Sequence, residues 1–127
     1  MVMLKLKRAK YSGRAPPDRL EEIMRQHNIR VMKMDRNNRT VLMRALYADF
    51  CANREAGLPY GNLAALITKL HETRPGKLPL DDGEFRLARN ALNHYRNERI
   101  ASGGYTVAAD DALIKLFKSK PPLWLFG

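Results

Sequence analysis

The sequence contains a single cysteine, Cys51, among its 127 residues. One thiol cannot close a disulfide within the chain, and it cannot supply the paired thiolates of a structural zinc site. No apolar run approaches the roughly 18 residues that a membrane-spanning helix needs. The first residues are too basic, and their apolar stretch too short, for a secretory signal. These absences predict a soluble cytoplasmic protein without a metal site or a membrane segment.

Motifs for catalysis are also missing. His27, His71 and His94 lie far apart along the chain, and none has another ligand type at metal-site spacing. There is no nucleophile elbow, no glycine loop for phosphate and no spaced pair of acids in an apolar setting. The acidic pairs at residues 81–82 and 110–111 fall where helices are predicted to begin, and acids stabilise that end of a helix. We therefore expect neither an enzyme nor a cofactor.

Acidic residues are scarce relative to basic ones. The chain has 23 Lys+Arg and 13 Asp+Glu, which give a formal net charge of +10. Residues 1–54 carry most of the excess, with 13 basic and 5 acidic side chains. Because cations that neutralise phosphates release condensed counterions, such an excess favours polyanionic partners. The first fourteen residues hold five cations and no acid, and we expect them to contact phosphates: Lys5, Lys7, Arg8, Lys10 and Arg14.

Apolar residues make up 45% of the chain, which is enough for a globular core. Their helical spacing, with glycine and proline between the periodic segments, predicts a mostly α fold, a compact bundle of about five helices. Residues 1–17 are predicted to form a basic N-terminal arm and linker, residues 18–120 a single helical domain, and residues 121–127 an apolar tail.

The first predicted helix begins near Asp18 and extends to Met34, after which an Arg/Asn-rich loop precedes a second helix capped by Thr40. A short strand or hairpin within the first 43 residues is an alternative, in which residues 29–34 pair with residues 40–43. Gly57 is predicted to end the second helix.

Three more helices follow in this prediction. The third begins at Gly61 or Asn62 and is broken by residues 74–79. The fourth begins at Asp81 or Asp82 and stops at residues 102–104. The fifth extends from Val107 to Lys118, and its acids and lysines are ordered as the helix dipole favours.

The fourth helix carries one face made almost entirely of arginine and asparagine. At about 100° per residue these side chains fall within an arc of about 120°, opposite an apolar arc. Solvated helix faces usually mix lysine with glutamate, whereas Arg and Asn are side chains that bind phosphates and read guanine and adenine edges. The alternatives are a merely exposed face or arginines paired with acids of other helices. The predicted contact residues are Arg86, Arg89, Asn90, Asn93, Arg96 and Asn97.

A second basic cluster comprises Arg36, Arg39 and Arg44, although residues 36–39 can also be read as a polar turn. The arm, this cluster and the Arg/Asn face form one footprint only if they lie on the same side of the molecule.

The apolar tail concentrates aromatic residues at the chain end. It either covers the bundle or anchors a protein partner or a second copy of the chain, since Trp is favoured at interface hot spots. Its predicted contact residues are Leu123, Trp124, Leu125 and Phe126.

The charge pattern and the lack of catalytic motifs predict a small nucleic-acid-binding regulatory or accessory protein that contacts DNA or RNA. The alternative is a protein-binding adaptor or inhibitor that docks through its tail or its basic face.

Overall fold

The computed structural model describes residues 29–121, and these form a mostly helical fold with one small sheet. In chain order the elements are β1 (Arg30–Met34), α1 (Arg36–Glu55), α2 (Gly61–Glu72), β2 (Gly76–Leu80), α3 (Asp82–Ala101) and α4 (Val107–Phe117). The predicted mostly α class is confirmed. No helix between residues 29 and 121 is long and apolar enough to cross a membrane.

Reciprocal capping boxes begin the two longest helices. At the start of α1 the Asp35 carboxylate accepts a hydrogen bond from the Asn38 backbone N–H at 2.7 Å, and the Asn38 side chain accepts one from the Asp35 N–H at 3.0 Å. Asp81 and Glu84 make the same pair of bonds at the start of α3. Each box satisfies N–H groups that have no partner inside the helix.

Glycine ends both helices where the sequence predicts it. Gly57 has φ 72° and follows α1, and Gly103 has φ 76° and follows α3. Both turns are Schellman motifs, since the two N–H groups after the last turn return to carbonyls of that turn. Leu58, for example, donates to the Asn53 carbonyl at 2.8 Å.

Strands β1 and β2 pair antiparallel, with Arg30 opposite Leu80 and Met34 opposite Gly76. The Val31 N–H donates to the Lys120 carbonyl at 2.8 Å, so the Val31 backbone points away from β2. Pro79 lies directly opposite Val31, so a backbone N–H at position 79 would point away from β1 and not into the ladder. A proline is tolerated at that position because no ladder hydrogen bond is lost.

The core lies between the inner face of the sheet and the four helices of the described chain. Helix α3 contacts α1, α2 and α4. Alternate strand residues turn inward, as the two-residue period of a strand requires, and belong to one core cluster with leucines from each of the four described helices. The fully buried large side chains of the core are Met32, Met34, Leu42, Leu46, Leu66, Leu70, Leu78, Leu80, Leu92 and Leu116.

Three predictions about these segments are wrong. Residues 29–34 do not end a helix; the alternative of a short strand in this segment is confirmed, but its partner is β2, not residues 40–43. Helix α1 is capped by Asp35, five residues before Thr40, so the predicted loop at residues 36–39 is the first turn of the helix. Residues 74–79 do follow the end of α2, as predicted, but they also include most of β2, a strand that the sequence did not predict. Thus residues 29–121 contain four helices and not five, while the predicted start at Asp18 lies outside the described residues.

The start of α1 is fixed by contacts of Asn38, which is 1% exposed. Its Nδ2 donates to Asp111 Oδ2 at 2.7 Å, and its Oδ1 also accepts from Lys115 Nζ at 3.1 Å. The side chain thus caps α1 and ties its first turn to α4. A local propensity rule cannot anticipate this, because two of the partners lie more than 70 residues away.

We predict that Asn38→Ala lowers the free energy of unfolding by about 2–3 kcal/mol, since it removes half of the capping box and leaves Asp111 and Lys115 without their bonds to the amide. Urea denaturation measures the change. Asn37→Ala, one position earlier and exposed, is the matched control and should alter stability by less than about 0.5 kcal/mol. Equal effects at both positions would contradict the role of Asn38.

Candidate nucleic-acid interface

Most cations of the described chain lack a carboxylate partner. Residues 29–121 contain 16 Lys+Arg and 10 Asp+Glu. Within this range only Arg30, Lys69, Arg96 and Lys115 lie within 4.0 Å of a carboxylate. The cations without such a partner among the described residues are Lys33, Arg36, Arg39, Arg44, Arg54, Arg74, Lys77, Arg86, Arg89, Arg99, Lys118 and Lys120.

Four cations line one shallow, open depression of about 700 Å³ beside the sheet. Lys33 of β1, Arg36 of α1, Lys77 of β2 and Lys115 of α4 form it, and we call this surface the basic concavity. Asp35 is the single acid in its lining, and the carboxylate is engaged in the cap of α1, 3.7 Å from Lys115 Nζ. The lining of the concavity thus carries four positive charges and one negative charge, and the depression is open to solvent.

Lys33 and Lys77 are directly opposite each other on the outer face of the sheet. Like charges at this position destabilise a strand pair, by an amount on the order of 0.2–1 kcal/mol. Neither lysine has an ion-pair partner in residues 29–121. Sequence reasoning missed Lys77, because it lies 44 residues from Lys33 in a segment interpreted as a helix break. The register of the sheet is what brings the two together.

The predicted basic cluster on α1 divides among three surroundings. Arg36 is exposed and lines the basic concavity. Arg39 reaches the end of α2, where its Nε donates to the Thr73 carbonyl at 3.1 Å and its Nη2 to the His71 carbonyl at 3.0 Å. Arg44 is exposed and lines a different hollow. The three arginines therefore do not line a common surface among the described residues.

The Arg/Asn face of α3 is exposed, as predicted. Arg86, Asn90, Asn93 and Asn97 are exposed, and Arg89 is half-buried with its guanidinium 3.3 Å from Asn90 Oδ1. None of these side chains lines the basic concavity. The face therefore offers two guanidinium groups without a carboxylate partner in the described chain, among three asparagines.

Arg96 differs from the rest of this face because it is neutralised. Its Nε donates to Asp110 Oδ1 at 2.6 Å, and Thr106 Oγ1 donates to Asp110 Oδ2 at 2.9 Å. The hydrogen bonds from Arg96 and Thr106 lower the pKa of Asp110 below its ordinary value, although partial burial opposes them. The Asp110 carboxylate is thus charged at neutral pH, and its ion pair with Arg96 links α4 to α3.

The remaining predicted contact residues lie outside the described residues: Lys5, Lys7, Arg8, Lys10, Arg14, Leu123, Trp124, Leu125 and Phe126. Among residues 29–121, no group of three or more His, Cys, Asp or Glu side chains is arranged to hold a metal ion.

Comparison with protein-family models, with curated proteins and with solved structures found no match to this chain. The charge and geometry of its own residues therefore carry the functional argument.

We predict that Arg96→Gln raises the pKa of Asp110 toward its ordinary value, because the variant loses both the charge and the strongest hydrogen bond. The pKa is lower in the folded state, so this pair stabilises the fold above the ordinary value of 3.8 and ceases to do so as the pH falls through the lowered value. An NMR titration of the Asp110 carboxyl carbon measures the shift.

The matched control is Arg89→Gln, which removes an arginine of the same helix that has no carboxylate partner in the described chain. It should leave the Asp110 titration unchanged. An unaltered Asp110 pKa in Arg96→Gln would show that the ion pair does not hold Arg96 in solution.

Proposed function

We propose that this chain is a small nucleic-acid-binding protein, with a regulatory or accessory role, and that its basic concavity binds the phosphate backbone. The observation that carries the proposal is the juxtaposition of Lys33, Lys77 and Arg36 around one depression with no ion pair among them. A phosphate in this depression would relieve the repulsion between the two lysines and release counterions at the same time.

The α3 face supplies a second contact region in this proposal. Arg86 and Arg89 would bind phosphates, and the exposed amides of Asn90, Asn93 and Asn97 would donate to and accept from bases or sugars. Arg96 and Arg39 are left out of the contact set, because the first is held by Asp110 and the second by carbonyls at the end of α2. The cations of residues 1–14 add to the same positive charge, and a cytoplasmic location belongs to the proposal as well.

A salt titration of oligonucleotide binding tests the proposal. We expect the logarithm of the association constant to fall linearly with the logarithm of the salt concentration, with a slope that becomes shallower by about 0.7–0.9 for each phosphate contact removed. Lys33→Gln, Lys77→Gln and Arg36→Gln should each show this change when binding is followed by fluorescence anisotropy. The Arg86→Ala/Arg89→Ala double variant tests the α3 face in the same assay.

Lys69→Gln is the control for net charge. It removes the same unit charge, but Lys69 is already paired with Glu84 at 2.9 Å and lies outside the concavity. An equal loss of binding in Lys69→Gln and Lys77→Gln would show that overall charge matters and the concavity does not. Failure of the wild type to bind any oligonucleotide at low salt would refute the proposal itself.

Lys77→Glu separates binding from stability. A glutamate opposite Lys33 replaces repulsion with attraction, so we predict a gain of up to about 1 kcal/mol in the free energy of unfolding, together with weaker oligonucleotide binding. Thermal unfolding at low salt measures the gain, which high salt should reduce. Loss of both stability and binding would indicate that Lys77 supports the fold instead.

Protein binding is the second candidate function, and the outer face of α4 favours it. Val107, Ile114 and Phe117 are apolar, exposed and close together on the helix surface. Sedimentation of the wild type and of Ile114→Glu over a range of concentrations tests the version in which two copies of the chain associate through this face. If the wild type is a monomer at every concentration, as Ile114→Glu is expected to be, association of two copies through this face is refuted.

A further inference from the structure

Aromatic side chains cluster on the outer surface where α1 meets α2. The rings of Tyr47 and Phe50 stack with centroids 6.1 Å apart, and Tyr60 meets Phe50 edge-on at 5.1 Å. Tyr47 is 58% exposed and Tyr60 is 41% exposed. Neither tyrosine hydroxyl makes a hydrogen bond within residues 29–121. The two tyrosines are therefore accessible to solvent, and their hydroxyls make no polar contact in the described fold.

Guanidinium groups flank these rings. Arg54 lies over the Phe50 ring, with its Cζ 5.5 Å from the centroid. Arg44 precedes Tyr47 by three residues and is therefore its neighbour on the helix surface. Both arginines are exposed and have no carboxylate partner in the described chain. We call Arg44, Tyr47, Phe50, Arg54 and Tyr60 the aromatic–arginine strip.

Arg44 also lines a hollow beside the start of α1, and Arg99 and Tyr105 line the same hollow. Tyr105 is 88% exposed, and Arg99 Nε donates to its carbonyl at 3.4 Å. Asp35 and Asp111 also line this hollow, so it is lined by two arginines and two carboxylates, each of which also lies 3.7 Å from Lys115 Nζ. The aromatic–arginine strip is therefore the part of this surface where exposed rings lie beside guanidinium groups that have no carboxylate partner in the described chain.

Exposed rings beside guanidinium groups suit an unpaired polynucleotide. Each base has a flat face that can stack on an aromatic ring, and the neighbouring phosphates can pair with guanidinium groups. In a duplex the base faces are already stacked on one another, so exposed rings add little to binding. Charge complementarity also favours a polyanion here over an apolar protein segment, since Glu55 is the one carboxylate of α1 close to the strip on its exposed face.

We propose that the nucleic acid bound by this chain is single-stranded, and that its bases stack on Tyr47 and Tyr60. This inference rests on the proposed function, and it extends the contact surface from the basic concavity to the outer face of α1. It assigns a stacking role to residues that composition and helical spacing do not single out.

Competition between three probes of equal length tests the inference: a single-stranded oligonucleotide of about twelve nucleotides, the matching duplex, and an abasic single strand with the same phosphates. We expect the wild type to prefer the single strand over both of the others. Tyr47→Leu, which keeps an apolar side chain but loses the ring, should weaken single-strand binding roughly five- to 100-fold and change abasic-strand binding little.

Two further variants serve as controls. Tyr47→Phe keeps the ring and should retain wild-type affinity. Phe117→Leu removes an exposed aromatic ring from α4, outside the strip, and should also retain it. Circular dichroism and the unfolding midpoint confirm that each variant is folded.

The outcomes separate this inference from the proposed function. If the wild type binds duplex as well as single strand, and Tyr47→Leu binds both as the wild type does, the stacking inference is wrong while nucleic-acid binding stands. If Tyr47→Leu weakens all three probes equally, the ring does not stack on bases and the inference is again wrong. If no probe binds at low salt, the proposed function fails first.

Discussion

The described structure depends on the buried side chain of Asn38. A primary amide in an apolar interior is tolerated only when its polar atoms are hydrogen-bonded, and Asn38 meets this condition through Asp35, Asp111 and Lys115. Asn38 and these three partners determine where α1 begins and how α4 packs against the first turn of α1. Asp35 and Asp111 both lie 3.7 Å from Lys115 Nζ, and neither has an arginine within 4.0 Å in the described chain. The exposed Arg36 therefore stays without a carboxylate partner among the described residues.

The distribution of charge on the surface follows from how the carboxylates are used within the described chain. Several carboxylates of residues 29–121 cap helices or hold elements together, as Asp110 does for α3 and α4 and Glu84 for α2 and α3. Few carboxylates remain to face the exposed lysines and arginines. Ion pairs thus join neighbouring helices, whereas most of the exposed lysines and arginines have no carboxylate partner in the described chain. This contrast supports a polyanionic partner more strongly than net charge alone, because a basic protein can be fully ion-paired.

Sequence reasoning succeeded where the signals were local. The ends of α3 and α4, the glycine after α1 and the exposed Arg/Asn face all follow from residues within a turn or two of each other. Reasoning failed at β1 and β2, because five-residue segments containing Met, Leu and Lys have weak propensities and a strand needs a partner. That failure carried over to the site, since Lys33 and Lys77 become neighbours only through strand pairing. The positions of Arg36, Arg39 and Arg44 were misjudged for the same kind of reason, because the start of α1 was misplaced.

The amino-acid sequence by itself determined the helical class, the ends of the later helices and the excess of basic side chains. These properties depend on the spacing of apolar residues, on capping side chains within four positions, and on composition. Only the tertiary structure decided which cations pair with a carboxylate and which unpaired cations lie close to one another. That outcome depends on contacts such as Asn38 with Asp111, Arg96 with Asp110 and Lys33 opposite Lys77, which join residues 14 to 73 positions apart. Electrostatic energy depends on distance in space, and neighbours of this kind exist only once the core has formed.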